Sequence, residues 1–474
     1  MLRTVQAVSH LLPRSLPQSV TRMRDNYLAK SPPVRPIHNL QQPGQPQPFR
    51  GASLDRSTHK DTEQKDTIIR IGFGDSGAGG AMFLIQSYIA LCDFLIEQTS
   101  KYQVRFELIH VGDVTNAPYG GKSHEAIAEL TKGFVGFLGD KGAQFAVIAC
   151  NTASTTFDDR MNAAIKERFP DMETLPIITA TSENLLRVAK ISKTKQNMPQ
   201  IHVGVLATRA TTLSQKYPLS LAQLHSKQYG DEAYTVVINN DPFIKEKLAR
   251  DATFQFFRVY KGGKPVTRGT PKEKDAFNPI RAHGCKVPVL FVHVHAPGEW
   301  VSIIERRDEY ANLSQNEWQQ LLDKTVAEDV KNFEKFAGSF YKDHTKEPLK
   351  VLSAIALACT HYPSVSRQIE DTLQTMGINA KIVAQGESFA QYVLVDKIKR
   401  WMVEKDIQPR EVPIPRADVP EPRITSYTIV NEDKPDDVKA AAELPNLCRI
   451  ISPKIGGQII YKIKPPIQHP PARQ

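Results

Sequence analysis

Two short apolar runs, Phe145-Ala-Val-Ile-Ala-Cys150 and Ala354-Ile-Ala-Leu-Ala-Cys359, constrain this chain more than anything else in it. Neither alternates apolar with polar residues. A strand built from either must therefore be buried on both faces, as the inner strands of helix-covered parallel sheets are. Each run ends in a cysteine followed by small hydrogen-bonding residues, Asn151-Thr152-Ala153-Ser154 in the first and Thr360-His361-Tyr362-Pro363 in the second. In open α/β sheets that carboxyl-end position is where ligands bind.

Strand-like and helix-like stretches alternate around these two runs, which is the pattern of βα units. Asp66–Gly74 reads as a strand running into the glycine turn Asp75–Gly80, where the backbone can approach a small anion and a helix begins. A helix over 81–100, a strand from Arg105 and a loop Pro118–Ser123 lead through a helix over 124–141 to the Cys150 strand. Beyond it, strands are expected at 176–180, 202–208, 287–294 and 380–384, and helices at 182–191, 297–305, 315–339, 364–376 and 389–405. The stretches Gly72–Ala153 and Gly204–His361 both open on a strand with a small-residue turn and later end a strand in cysteine. This internal symmetry predicts an α/β chain of two similar parallel-sheet domains facing across a cleft, with disordered N- and C-terminal extensions. The expected boundaries are a disordered basic arm 1–65, a first half 66–182 completed by 380–408, a second half 183–379 with an insertion near 218–284, and a Pro-rich tail 409–474.

The formal charge of +10 bears on partners only through its location. Residues 1–65 carry +6 and residues 409–474 carry +2, so the middle of the chain is nearly balanced. The basicity belongs mostly to the extensions and says little about the central chemistry. It leaves nucleic acid as a secondary possibility for the arms. The first 24 residues hold Arg3, Arg14, Arg22 and Arg24 and no acid, a composition shared by organelle transit peptides and by plain solvated arms. No run of eighteen apolar residues occurs, so no membrane partner is expected. Five scattered cysteines argue against a disulfide framework and for a reducing compartment such as the cytoplasm.

Cys92 falls within a helix's apolar pattern, and Cys285 and Cys448 lie in irregular stretches where no role is evident. For Cys150 and Cys359 three chemistries compete. A metal site wants ligands at close spacing, and only Cys359 and His361 are near one another. A nucleophilic cysteine with a histidine base uses one thiol and leaves the other idle. Two thiols on opposite sides of a substrate would use both, one taking a proton as thiolate and one giving a proton as thiol.

The motifs Asp75-Ser76-Gly77, Pro118-Tyr119-Gly120, Cys150-Asn151-Thr152-Ala153-Ser154 and Cys359-Thr360-His361-Tyr362-Pro363 resemble, in order and context, those of the glutamate racemases. These are cofactor-independent members of the aspartate/glutamate racemase superfamily. Ala207–Tyr217 resembles the family's A-T-x-A-T-x-x-S-x-x-Y, and His295–Glu305 its C-P-x-x-V-P-L-V-E stretch. The likeness covers roughly 68–404. It implies interconversion of L- and D-glutamate by two-thiol proton transfer at the α-carbon, with no pyridoxal phosphate, no metal and a possible homodimer. In a bacterium, D-glutamate of this kind feeds peptidoglycan synthesis. The resemblance makes Cys150 and Cys359 the acid/base thiols, with Asp75, His361 and Glu305 assisting them. It places Asp75, Ser76, Pro118, Tyr119, Gly120, Asn151, Thr152, Thr360 and His361 around the substrate.

The chain departs from the family in carrying Ala296 where cysteine is common and Ala358 where glycine is. The stretch from Tyr217 to Ala296 and both extensions are longer than the family's. Two alternatives follow: a racemase or isomerase of another acidic substrate, or a non-catalytic binding or regulatory protein on the same scaffold.

Overall fold

The structure is a computed structural model that describes residues 66–77, 79–194, 200–240, 257–266, 287–298, 300–305, 310, 312–342, 352–431, 433, 444–445 and 459–464. The arm 1–65 lies outside the described residues, as do parts of 218–284 and of 409–474.

Two sheets form the frame. The first has the order β13-β12-β2-β1-β3-β4 and the second β11-β10-β5-β9-β6-β7-β8. In the first sheet every pairing is parallel, with β1 (Thr67–Asp75) between β2 (Val104–Asp113) and β3 (Phe145–Ile148), and β4 (Glu173–Pro176) outside β3. The chain leaves β1 to one side for β2 and later returns to the other side as β3. The carboxyl ends of β1 and β3 therefore flank a switch point, where a crevice opens. Asp75 and Cys150 lie at those two ends.

The sequence of β1 shows how it is covered on both faces. Ile69, Ile71 and Phe73 face a core shared with Phe83, Leu84 and Leu91 of the helix Gly79–Lys101 and with Phe389, Leu394 and Ile398. Gly72 and Gly74 face the helix His124–Asp140, where a Cβ would sit 2.7 Å from Leu138 and 2.2 Å from Phe134. Those two glycines let a helix lie directly on the strand. The helix Gly79–Lys101 is long and apolar enough to cross a membrane by length and composition, and its apolar residues are buried or partly buried against this core.

In the second sheet β5 (Gln200–Ala207) lies between β10 (Leu352–Ala358) and β9 (Val289–His295), all parallel, with β11 (Lys381–Val383) beyond β10. On the other side β6 (Tyr234–Asn240) is parallel to β9, while β7 (Phe257–Lys261) and β8 (Lys264–Pro265) turn antiparallel. The described part of the expected insertion is thus a helix, Lys216–Tyr229, and edge strands of this sheet.

Four expectations need correction. Arg423–Ile429 is not a disordered extension: it forms β12, parallel to β2, and Ile460–Lys464 forms β13 beside it. Ile424, Tyr427 and Ile429 are buried there, and β2 on one side and β13 on the other give so short a run its partners. The strand expected at 176–180 ends at Pro176, and Ile177–Thr194 is a helix. Ile178, Leu185, Leu186 and Ala189 share one buried face of it against the second sheet, and that packing outweighs the β-branched preference of Ile-Ile-Thr. Lys381–Val383, assigned above to the first half, pairs with β10 in the second sheet, although the helices that follow return to the first core. The helical stretch expected over 297–305 is the single turn Trp300–Ile304.

Candidate active site

Both cysteines occupy the strand-end positions that their apolar runs imply. Cys150 follows β3 and caps the helical turn Asn151–Ser154, its sulfur accepting the Ala153 N–H at 3.4 Å. Cys359 directly follows β10. Both are buried free thiols.

The two strand ends meet. Asp75, at the end of β1 and wholly buried, accepts a hydrogen bond from Thr360 Oγ1 at 2.9 Å, so the neighbour of Cys359 is tied to the carboxylate beside Cys150. Ser76 bridges the same carboxylate to the first thiol, its backbone N–H donating to Asp75 Oδ1 at 2.6 Å and its hydroxyl lying 3.5 Å from Cys150 Sγ. Across the site Cys359 Sγ lies 3.7 Å from His361 Nδ1, and His361 Nε2 lies 2.7 Å from Glu305 Oε1. Each thiol therefore has its own ionisable company: Asp75 for Cys150, and the His361–Glu305 pair for Cys359.

The two sides differ in charge. Burial pushes the Cys150 thiol well above its ordinary range, and the Asp75 carboxylate pushes it further, against the Ser76 and Ala153 contacts. Burial likewise raises the Asp75 carboxyl, opposed by His361 and by the Thr360 and Ser76 hydrogen bonds. At His361 burial works to lower the basicity, but the Glu305 carboxylate and the Cys359 contacts override it and the group ends well above an ordinary imidazole. A protonated His361 donates from both nitrogens, to Cys359 Sγ and to Glu305, which suits the contacts it makes. One thiol is held as a thiol; the other has a cation beside it.

Glycines make this closeness possible. A Cβ on Gly79 would lie 2.3 Å from Thr360 Oγ1 and 2.8 Å from the His361 ring, and Gly77 approaches Glu305. Gly79→Ala is expected to destabilise the protein by about 1–3 kcal/mol by displacing Thr360 and His361. Denaturant melts of Gly79→Ala beside Gly121→Ala, where nothing lies within 4 Å of the added Cβ, provide the check. Equal midpoints would count against this packing.

The remaining residues divide. Asn151 and Thr152 are buried beside Cys150, but much of their hydrogen-bonding capacity is already engaged. Asn151 Oδ1 accepts from Tyr217 Oη at 2.6 Å and from Gln385 Nε2 at 3.0 Å, while its Nδ2 donates to Gln385 Oε1 at 2.8 Å. Gln385 also reaches Thr181 and the Tyr217 hydroxyl. Thr152 Oγ1 lies 2.9 Å from Thr208 Oγ1 and 3.4 Å from Thr211 Oγ1, a trio of hydroxyls at the carboxyl ends of β3 and β5. Tyr119 is buried with its hydroxyl donating to Asp113 at 2.8 Å. Pro118 is exposed and Gly120 half-buried.

Sequence reasoning did not single out Asp113, Gln385 or Thr181 as site residues. Thr208, Thr211 and Tyr217 stood inside a motif whose members were not given roles. Gln385 carried a usable signal, since it follows β11 at a strand end just as the cysteines do. Among the described residues no group of three His, Cys, Asp or Glu side chains is placed to hold a metal ion.

No protein-family model matches the chain. It is 29% identical over 180 residues to a glutamate racemase of Hydrogenobaculum sp. (strain Y04AAS1), an alignment covering 38% of this chain and 58% of that one. To a glutamate racemase of Aquifex aeolicus (strain VF5) it is 27% identical over 200 residues, covering 41% of this chain and 66% of that one. The chain is thus similar to glutamate racemases and spans less than two thirds of the length of these relatives. Among solved structures, a glutamate racemase isoform from Bacillus anthracis aligns over 86% of this chain and 98% of its own, with a TM-score of 0.46 and 18% identity.

Proposed function

We propose that this chain is a glutamate racemase that inverts the α-carbon by proton transfer between two thiols, Cys150 on one face of the substrate and Cys359 on the other. One observation carries the reading: the Thr360–Asp75 hydrogen bond, which joins the end of β1 to the residue after Cys359 and so draws together two thiols with different ionisable neighbours. Similarity to relatives named glutamate racemases supports the choice of substrate.

Each step conserves protons. A thiolate at Cys359, stabilised by the His361 cation, removes the α-proton, and the Cys150 thiol delivers its proton to the opposite face. The Cα–H bond broken on one side is replaced by one formed on the other. In the reverse direction Cys150 first passes its proton to the neighbouring Asp75 carboxylate, raised by burial, while Cys359 takes one from the His361 cation, so that thiolate and thiol exchange places. An α-proton beside a carboxylate is very weakly acidic, so charge developing on the substrate needs donors fixed in advance. Ser76, the hydroxyls of Thr152, Thr208 and Thr211, and the remaining Nδ2 hydrogen of Asn151 are the candidates. In this scheme side chains account for the whole proton transfer.

Incubation with L-glutamate in deuterated water should yield D-glutamate carrying deuterium at the α-carbon. Folded protein that produces neither inversion nor exchange would sink the proposal. The same assay with L-aspartate separates glutamate from another acidic substrate.

A further inference from the structure

The strand β12 brings a hydroxyl to the back of the candidate site. Ser426 is the register partner of His110 on β2, and its Oγ lies 2.9 Å from His110 Nδ1, both residues being almost wholly buried. The other ring nitrogen, Nε2, is buried and has no hydrogen-bond partner among the described residues. It and the Asp75 carboxyl both border Gly80: a Cβ on Gly80 would meet Asp75 Cβ at 2.4 Å, His110 Nε2 at 2.7 Å and Asp75 Oδ2 at 3.1 Å. A Cβ on Gly112 would meet the ring's Cε1 at 3.2 Å. Gly80 and Gly112 thus make room for an imidazole packed behind the acid that neighbours Cys150.

We propose that Ser426 and His110 are positioning residues for Asp75, with Ser426 fixing the tautomer of His110 so that an Nε2–H group faces the carboxylate. A neutral imidazole carries its proton on one nitrogen, and the hydrogen bond at one nitrogen decides the state of the other. A lone pair on Nε2 would face a buried carboxylate, which is unfavourable. A proton there places a donor dipole behind Asp75, opposite Thr360 and Ser76. The favourable arrangement has the Ser426 hydroxyl donating to Nδ1. Burial keeps the ring neutral, which is what a tautomer choice requires. The arrangement deepens the reading of the same site, but it rests on that reading only for the part Cys150 plays in turnover.

The test reads the tautomer and the thiol without any assay of racemisation. Ring-nitrogen NMR of 15N-histidine-labelled protein, with His110 assigned by His110→Gln, should show the Nε2–H tautomer in the wild type and in Ser426→Thr. Ser426→Ala should lose the single tautomer. It should also weaken the Asp75 anion and so raise the rate at which iodoacetamide alkylates Cys150, by roughly threefold or more at fixed pH, as read by peptide mass spectrometry. Cys359, whose partners are His361 and Glu305, should change by less than that. An Nδ1–H or charged His110 in the wild type would overturn the proposal. So would an unaltered Cys150 rate in Ser426→Ala, or an equal change at both thiols, which is what general loosening would produce. If the protein lacks racemase activity, both readouts still decide the matter.

Discussion

Cys150→Ala and Cys359→Ala should each lower racemisation of glutamate by about a hundredfold to ten-thousandfold, the usual weight of a positioned acid or base. The informative result lies in what survives. With Cys150 gone, Cys359 can still remove the α-proton from one enantiomer and return a solvent proton to the same face. Deuterium should then enter that enantiomer without inversion. Cys359→Ala should show the same behaviour with the opposite enantiomer, more slowly, because Cys150 rests as a thiol pushed up by burial and by Asp75. Both cysteines are buried in a packed core, so thermal melts of the variants belong beside the kinetics. A single nucleophile would give another pattern: one substitution silent, the other abolishing exchange into both enantiomers. Full racemisation in either variant would refute the two-thiol scheme.

The features legible in the sequence are those whose physics is local. β10 and β3 could be read because strands covered on both faces have unbroken apolar runs, and all of their residues are buried. The glycines of β1 and of the turn after it announced close approach, although not whose: Gly74 makes way for Phe134, Gly79 for Thr360, and Gly80 for Asp75 and His110. The features that could not be read are those made by distant parts. β12 is seven residues that begin directly after Pro422, and nothing in Arg423–Ile429 reveals that the edge of β2 awaits it. Gln385 meets Asn151 across 234 positions of sequence, so the amide pair existed only once the sheets had formed. The first turn of the helix Ile177–Thr194 reads as strand because the β-rich Pro176–Ala180 hides the apolar face that begins inside it, while the rest of the helix is legible from 182 onward.

Lowering the pH from about 6.5 to 4.5 should unfold this protein at far lower denaturant than at neutrality. Burial holds His110 and His293 down to about 3. His202, against which His293 Nε2 lies at 3.3 Å, is lowered well below its ordinary range, by burial first and by His293 second. In the unfolded chain each would titrate near 6.5. Below that value the unfolded state takes up protons that the folded state refuses, so stability is complete above about 6.5 and is lost as the pH falls towards 3. One histidine of this kind costs about 1.4 kcal/mol per pH unit, and three cost about 4. Three groups work the other way, in different windows. His361, raised by Glu305 and Cys359 against its burial, adds stability as the pH falls from its folded value to about 6.5 and nothing further below. Asp75 and Glu387, both raised by burial, each offset at most one proton as their carboxyls titrate. A net slope of about one to two protons is left, which over two pH units is about 3–6 kcal/mol, a large part of the stability of a typical domain. Urea melts at intervals between pH 6.5 and 4.5 measure it, and His293→Gln should flatten the slope by about one proton. A stability that stays level across that range would mean that these buried rings accept protons in the folded state.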